Sequence, residues 1–75
     1  MADRFSFATL DDRTEDVNRR IASSGRHLKW QSRHGYIGLD EYDGQTCIRT
    51  LTIGTKPEVA DFLHAMMVGI DLSRA

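Results

Sequence analysis

The sequence contains one cysteine, one proline and no long apolar run. A single thiol, Cys47, excludes an intramolecular disulfide and a zinc site built from paired cysteines. No stretch approaches the roughly 18 apolar residues that a transmembrane helix needs. Residues 1–10 contain charged and polar positions where a signal peptide would have an apolar run. These absences predict a soluble protein of the cytoplasm.

Charge of one sign is also scarce, because 10 basic residues stand against 11 acidic ones and leave a formal net charge of -1. This balance gives no overall field that would attract nucleic acid or an anionic membrane. Apolar residues make up 40% and charged residues 28% of the 75 positions, which is typical of a folded chain. We therefore expect residues 1–75 to form a single domain, in which any nucleic-acid binding comes from a local patch.

A first amphipathic helix is predicted over residues 10–23. Thr9 suits its N-cap, acidic residues fill its first turns, and the Ser-Ser-Gly run that follows is a typical stop. The residues before it, 1–8, are predicted to form an N-terminal arm that places Phe5 and Phe7 on the core. Because these two rings alternate with polar neighbours, a short edge strand is the alternative.

A second helix is predicted over residues 56–68 and has the clearest end signals in the chain. Thr55 and Glu58 form a capping box, with proline tolerated between them in the first turn. Gly69 stands where a left-handed residue would end the helix. The remaining residues, 71–75, are predicted to be a short C-terminal tail.

The middle third alternates between apolar and polar residues and is interrupted at two glycine-containing pairs, His34-Gly35 and Asp43-Gly44. Asp-Gly between such runs is among the strongest signals for a two-residue hairpin turn, and His-Gly is a weaker version of it. Three antiparallel strands follow, over residues 27–33, 36–42 and 45–53.

Two-residue turns would fix the register, with Trp30 opposite Leu39 and Leu39 opposite Ile48. One face of the sheet would then be apolar, consisting of Leu28, Trp30, Ile37, Leu39 and Ile48. The predicted fold class is α+β in the order α-β-β-β-α, a three-stranded antiparallel meander with both helices packed on that apolar face.

The opposite face of the predicted sheet combines positive charge with aromatic side chains. Such a surface suits an acidic patch on a protein or the stacking of bases, and the alternative is a solvated outer face without a partner. Met67, at the edge of the second helix's apolar stripe, either meets a partner or packs on the first helix. The candidate partner-binding residues are Lys29, Gln31, Arg33, Tyr36, Tyr42, Arg49 and Met67.

Few residues are suited to catalysis or metal binding. Cys47 with one of the three histidines is the available thiol dyad, and the predicted register places Cys47 beside Asp40, which would disfavour a thiolate. The acidic run from Asp40 to Gly44 lacks the alternating ligands and closing glutamate of a calcium loop. We therefore predict no catalytic residue, no metal site, no cofactor and no enzymatic activity.

The predicted order of helix, three strands and helix resembles the double-stranded RNA-binding domain. That family grips phosphates with a lysine-rich N-terminus on its last helix. The matching segment of this chain, Gly54–Glu58, has one lysine followed by proline and an acid, so it departs from the family at the positions that bind RNA.

The chain also resembles the small α+β proteins encoded by phages and mobile elements, among them anti-CRISPR proteins and related host inhibitors. The likeness rests on size, on the meander, and on the run from Tyr42–Thr46 through Gly54–Val59. It implies a compact non-catalytic module that binds and occludes a larger host protein or protein–nucleic acid complex.

Two surfaces are available for such a partner, the polar sheet face and the acidic first helix. The alternative function is a small nucleic-acid-binding domain that uses Lys29, Arg33, Arg49 and the tyrosines. Self-association through an exposed sheet edge or face is also open, because it would add buried surface that so small a core lacks.

Overall fold

The computed structural model describes residues 6–74, so Phe5 and Ala75 lie outside the described part of the chain. The elements follow the predicted order α-β-β-β-α, and the strands form one antiparallel sheet in the order β1-β2-β3. The predicted α+β fold is confirmed. The helices are α1 (Phe7–Ile21) and α2 (Lys56–Arg74), with a 3₁₀ turn at Ala22–Ser24, and the strands are β1 (Arg26–Arg33), β2 (Tyr36–Asp43) and β3 (Thr46–Gly54).

Both helices pack on the same face of the sheet. Arg13 of α1 donates a hydrogen bond to the backbone carbonyl of Ala60 on α2 at 2.8 Å, and Trp30 of β1 packs against the edge of the core. The buried core consists of Leu10, Val17, Leu28, Ile37, Leu39, Val59, Ala60 and Leu63. The helices therefore cover one face of the sheet and leave the other uncovered.

The first helix begins earlier than predicted, because Ser6 rather than Thr9 caps it. The Ser6 hydroxyl accepts a hydrogen bond from the Thr9 backbone N–H at 3.3 Å. Phe7 lies in the first turn of α1 and not in an extended arm, and its ring stacks on Trp30 at a centroid distance of 5.2 Å. This contact with β1 stabilises an extra helical turn that the capping pattern alone does not require.

The second helix extends through Gly69, which was predicted to end it, and the segment predicted as a tail is helical as far as Arg74. Contacts with α1 and the core explain the extension. Ile70 packs against the core, and Asp71 accepts two hydrogen bonds from the Arg20 guanidinium at 2.8 and 3.2 Å. Within residues 6–74, no helix is both long and apolar enough to cross a membrane.

The first hairpin has the predicted register, with Trp30 opposite Leu39. Its turn residues His34 and Gly35 have φ angles of 51° and 83°, as a type I′ turn requires. The second hairpin closes one residue later than predicted, with Asp43 opposite Thr46.

In this second turn, Gly44 takes the first loop position with a φ of 60°. Glycine is preferred at that position in a type II′ turn. The shift by one residue at the turn moves the whole of β3 by two positions relative to β2.

Beyond the turn, the register of β3 shifts twice more, by one residue each time. The extra residues are Ile48 and Leu51, and such insertions are β-bulges. Leu39 therefore faces Thr52 and not Ile48. The prediction that Ile48 belongs to the core is wrong, since it is exposed, while Leu51 packs against the core instead.

Candidate partner-binding surface

The face of the sheet that turns away from the helices is called the open face. Residues directly opposite each other in a sheet share a face, and alternate residues along a strand share it too. The open face consists of His27, Lys29, Gln31 and Arg33 of β1, Tyr36, Gly38, Asp40 and Tyr42 of β2, and Cys47, Thr50 and Ile53 of β3. It includes the predicted contact residues Lys29, Gln31, Arg33, Tyr36 and Tyr42.

Asp40 is buried on this open face, although no helix covers it. Its side chain is 1% exposed. Thr50 donates its hydroxyl hydrogen to Asp40 Oδ1 at 2.7 Å, and Arg33 Nη2 donates to Oδ2 at 3.3 Å. An unpaired buried carboxylate would be costly, so these two partners account for its place in the structure.

The Arg33 side chain consequently runs along the sheet toward Asp40. It lies opposite Tyr36 but reaches Asp40, four residues along β2, and also donates to Gln31 Oε1 at 3.3 Å. Gly38 lies between Tyr36 and Asp40 on the same face, so no side chain obstructs the guanidinium. About half of the Arg33 side chain, 51%, remains exposed.

On the two strands beyond Arg33, the open face presents two large exposed side chains. Tyr36 is 55% exposed and Ile53 is 62% exposed. Ile53 is the cross-strand partner of Gly38, two positions from Tyr36 along β2. Arg33, Tyr36 and Ile53 are called the Arg33 patch, and they combine an anchored cation with an aromatic and an aliphatic surface.

At the other end of the open face, the ring of Tyr42 is already engaged within the sheet. The His27 ring stacks on it at 5.3 Å with an interplanar angle of 15°. Lys29 Nζ lies 5.1 Å from its centroid, within the range of a cation–π contact. Tyr42 therefore serves to order its neighbours, and Tyr36 is the more accessible tyrosine of this face.

Arg49, a predicted contact residue, lies on the helix side of the sheet and not on the open face. Glu41 is the cross-strand partner of both Arg49 and the buried Leu28, so all three share the covered face. Arg49 Nε donates to Glu41 Oε1 at 2.6 Å, and Arg26 Nη1 donates to Oε2 at 2.7 Å. The hydrogen bond from Arg49, and then that from Arg26, lower the pKa of Glu41 below its ordinary value. The shifted register of β3 is the reason for the change of face.

Met67, the predicted contact residue on α2, is partly buried and packs against the core. Its placement agrees with the alternative that a boundary methionine completes the packing between elements. Of the seven predicted contact residues, Arg49 and Met67 therefore lie apart from the five on the open face.

The residues considered for catalysis or metal binding are dispersed. Cys47 is a free, exposed thiol and faces Tyr42, not Asp40 as the predicted register had it. Among residues 6–74, no group of three or more histidine, cysteine or acidic side chains is arranged to hold a metal ion.

No protein-family model, curated protein or solved structure matches this chain. A fold by itself does not indicate a function, because one architecture supports many unrelated sites.

Sequence reasoning missed three residues of this surface, namely Asp40 in its anchoring role, Thr50 and Ile53. Lys29 lies directly opposite Asp40 in the sheet, but alternation alone does not show which cation reaches the carboxylate. The available signal for the role of Asp40 was its place as an acid at the centre of the middle strand, two positions from a glycine. The positions of Thr50 and Ile53 on the open face depend on the bulges of β3, which no short-range pattern in the sequence predicts.

Proposed function

We propose that this chain is a non-catalytic protein-interaction module that binds a larger partner through the open face of its sheet. In this respect it would act as phage and mobile-element inhibitors do, by occluding a surface of a host complex. The observation that supports this proposal most is the anchoring of Arg33 by the buried Asp40, on the same face of the sheet as the exposed Tyr36 and Ile53.

An anchored arginine is suited to recognition for an energetic reason. Immobilising a long side chain on binding costs free energy, and a side chain that is already held loses less. Arginine and tyrosine are also enriched among the residues that contribute most to protein interfaces. The Arg33 patch therefore has both the composition and the order of an interface centre.

Charge indicates the kind of partner surface. Lys29 and Arg33 place two cations on β1, and the charge of Asp40 is directed into the sheet and not toward solvent. We infer a partner with an acidic patch beside an apolar one, so that the acids meet Arg33 and Lys29 while the apolar part covers Tyr36 and Ile53.

The test is affinity capture from a lysate of the native host with matched variants. The wild-type chain should retain a specific macromolecule, and the double variant Arg33→Glu, Tyr36→Ala should lose it. A control variant, Asp12→Lys, Glu15→Lys, changes charge on exposed positions of α1 and should retain it. Loss in the control variant alone would place the contact on α1, and equal capture by all three proteins would contradict the proposal.

Nucleic-acid binding is the second candidate, favoured by Lys29, Arg33 and the exposed Tyr36 on one face. It has less support than protein binding, because Arg49 lies on the helix side and the ring of Tyr42 is engaged. Binding of this kind should weaken steeply with salt and be lost in Arg33→Glu, while Arg49→Glu should have little effect. Failure of the wild type to be retained on a nucleic-acid column at low salt would eliminate this candidate.

A further inference from the structure

A cavity of about 470 Å³ lies on the helix side of the sheet, opposite the open face. Its volume falls within the roughly 300 to 1,000 Å³ range of small-molecule sites. Its apolar wall joins the end of α1, the sheet and the middle of α2. The apolar residues that line it are Ile21, Leu28, Leu51 and Met66.

The same cavity is lined by two arginines that share one glutamate. Glu41 lies between Arg26 and Arg49. One of its carboxylate oxygens accepts a hydrogen bond from Arg26 at 2.7 Å, and the other accepts one from Arg49 at 2.6 Å. The Glu41 side chain is only 12% exposed. Two guanidinium groups are thus held at the edge of an apolar cavity, and the three charges sum to +1.

The arginines retain hydrogen-bonding capacity beyond Glu41. Each guanidinium has five N–H donors, of which Arg49 uses its Nε and Arg26 an Nη1 hydrogen toward the shared carboxylate. Asp43 approaches Arg26 Nε at 4.0 Å, but it is 63% exposed and does not line the cavity. This long contact between two exposed side chains is therefore screened by solvent.

We propose that this cavity binds a small amphipathic monoanion, a carboxylate on a short alkyl chain. The chain would lie on the apolar wall, and the carboxylate would accept hydrogen bonds from the Arg26 and Arg49 guanidiniums, which suit planar carboxylates. The positive sum of the lining charges favours an anion over a cation, and the apolar wall favours an alkyl chain over a small inorganic ion. The site lies on the covered side of the sheet, so the proposal is independent of partner binding at the Arg33 patch.

The direct test compares three probes of equal chain length by isothermal titration calorimetry and two-dimensional NMR. Octanoate, below its micellar concentration, should bind saturably with a Kd below about 1 mM. Octan-1-ol should bind at least tenfold more weakly, and octylammonium should not bind. Equal binding of octanoate and octan-1-ol, or no saturable binding of octanoate, would overturn the proposal.

Variants of the lining arginine test whether octanoate binds in this cavity. Arg49→Gln reduces the lining charge to zero while Arg26 still pairs with Glu41, and should weaken octanoate binding about tenfold, equivalent to about 1.4 kcal/mol. Arg19→Gln, which removes one positive charge at an exposed position of α1 away from the cavity, should leave it unchanged. An unaltered Kd in Arg49→Gln would contradict the proposed site.

NMR of the wild-type chain supplies a readout that does not depend on how any variant folds. Octanoate should shift the methyl signals of Ile21, Leu51 and Met66, which line the cavity, and leave those of Ile53 on the open face unshifted. Shifts confined to Ile53 would overturn the assignment to this cavity.

Discussion

Asn18 of α1 forms two hydrogen bonds with the backbone of Leu28 on β1. Its Oδ1 accepts the Leu28 N–H at 2.6 Å, and its Nδ2 donates to the Leu28 carbonyl at 3.0 Å. Because residues of an antiparallel strand alternate between paired and outward-facing backbone groups, these bonds lie on the edge of β1 away from β2. The side-chain amide takes the place of a neighbouring strand and joins α1 to the edge of the sheet.

We expect Asn18→Ala to lower the free energy of unfolding by about 1 to 3 kcal/mol, because it leaves two part-buried backbone groups without partners. Asn18→Asp keeps the acceptor for the Leu28 N–H but loses the donor to its carbonyl, so it should be destabilised as well. Urea unfolding measures both. The control Glu15→Ala, at an exposed position on the same helix, should change stability by less than about 0.5 kcal/mol, and a similarly small effect for Asn18→Ala would show that the two bonds contribute little.

The Arg33–Asp40 pair should show measurable coupling in a double-mutant cycle. Arg33→Gln removes one partner of a buried carboxylate and should destabilise the fold by about 1 to 2 kcal/mol, less than for a fully buried pair because Arg33 is half exposed. Adding Asp40→Asn removes the stranded charge and should recover part of this loss, since neighbouring residues couple by about 0.5 to 3 kcal/mol. Denaturant unfolding of the four proteins gives the coupling energy, and strictly additive effects would be inconsistent with the observed contact.

The bulges of β3 can be tested by comparing Ile48 with Leu51. Ile48→Thr should change stability by less than about 0.5 kcal/mol, because this side chain lies outside the core. Leu51→Ala removes a side chain that packs on the core and should cost about 1 to 3 kcal/mol, at or below the lower end of values for fully buried leucines. The reverse order in thermal or urea unfolding would support the unbulged register in which Ile48 is buried.

Stability should depend on pH through Glu41. Its pKa is lower in the folded chain than in the unfolded one, so its contribution is fully present above the unfolded pKa, about 4.3. The contribution is lost as pH falls through the folded pKa. Glu41→Gln should therefore flatten the acid side of the stability curve.

The comparison for Glu41 is made by urea unfolding from neutral pH down to about pH 3, below the unfolded pKa. The free energy of unfolding of Glu41→Gln should still fall somewhat as pH is lowered, because hydrogen bonds also lower the pKa values of Glu58 and Asp71. The exposed Glu15→Gln serves as the matched control. Parallel stability curves for wild type and Glu41→Gln would contradict the expected contribution.

Local chemistry in the sequence determined the element order, the first hairpin and the start of α2. His34-Gly35 sets the turn between β1 and β2 through backbone conformation, and Thr55 with Glu58 caps α2 through bonds three residues apart. These features depend on neighbours in the chain, and this is why alternation, turn residues and capping pairs were sufficient to predict them.

Only the tertiary structure decided where β3 pairs and where α2 ends. The bulge at Ile48 directs Arg49 to the covered face beside Glu41, and contacts with α1 and the core continue α2 past Gly69. Burial of Asp40 likewise depends on Arg33 and Thr50, which come from different strands. Each outcome results from contacts between residues distant in sequence, whose free energies exceed the weak local preferences that short-range patterns report.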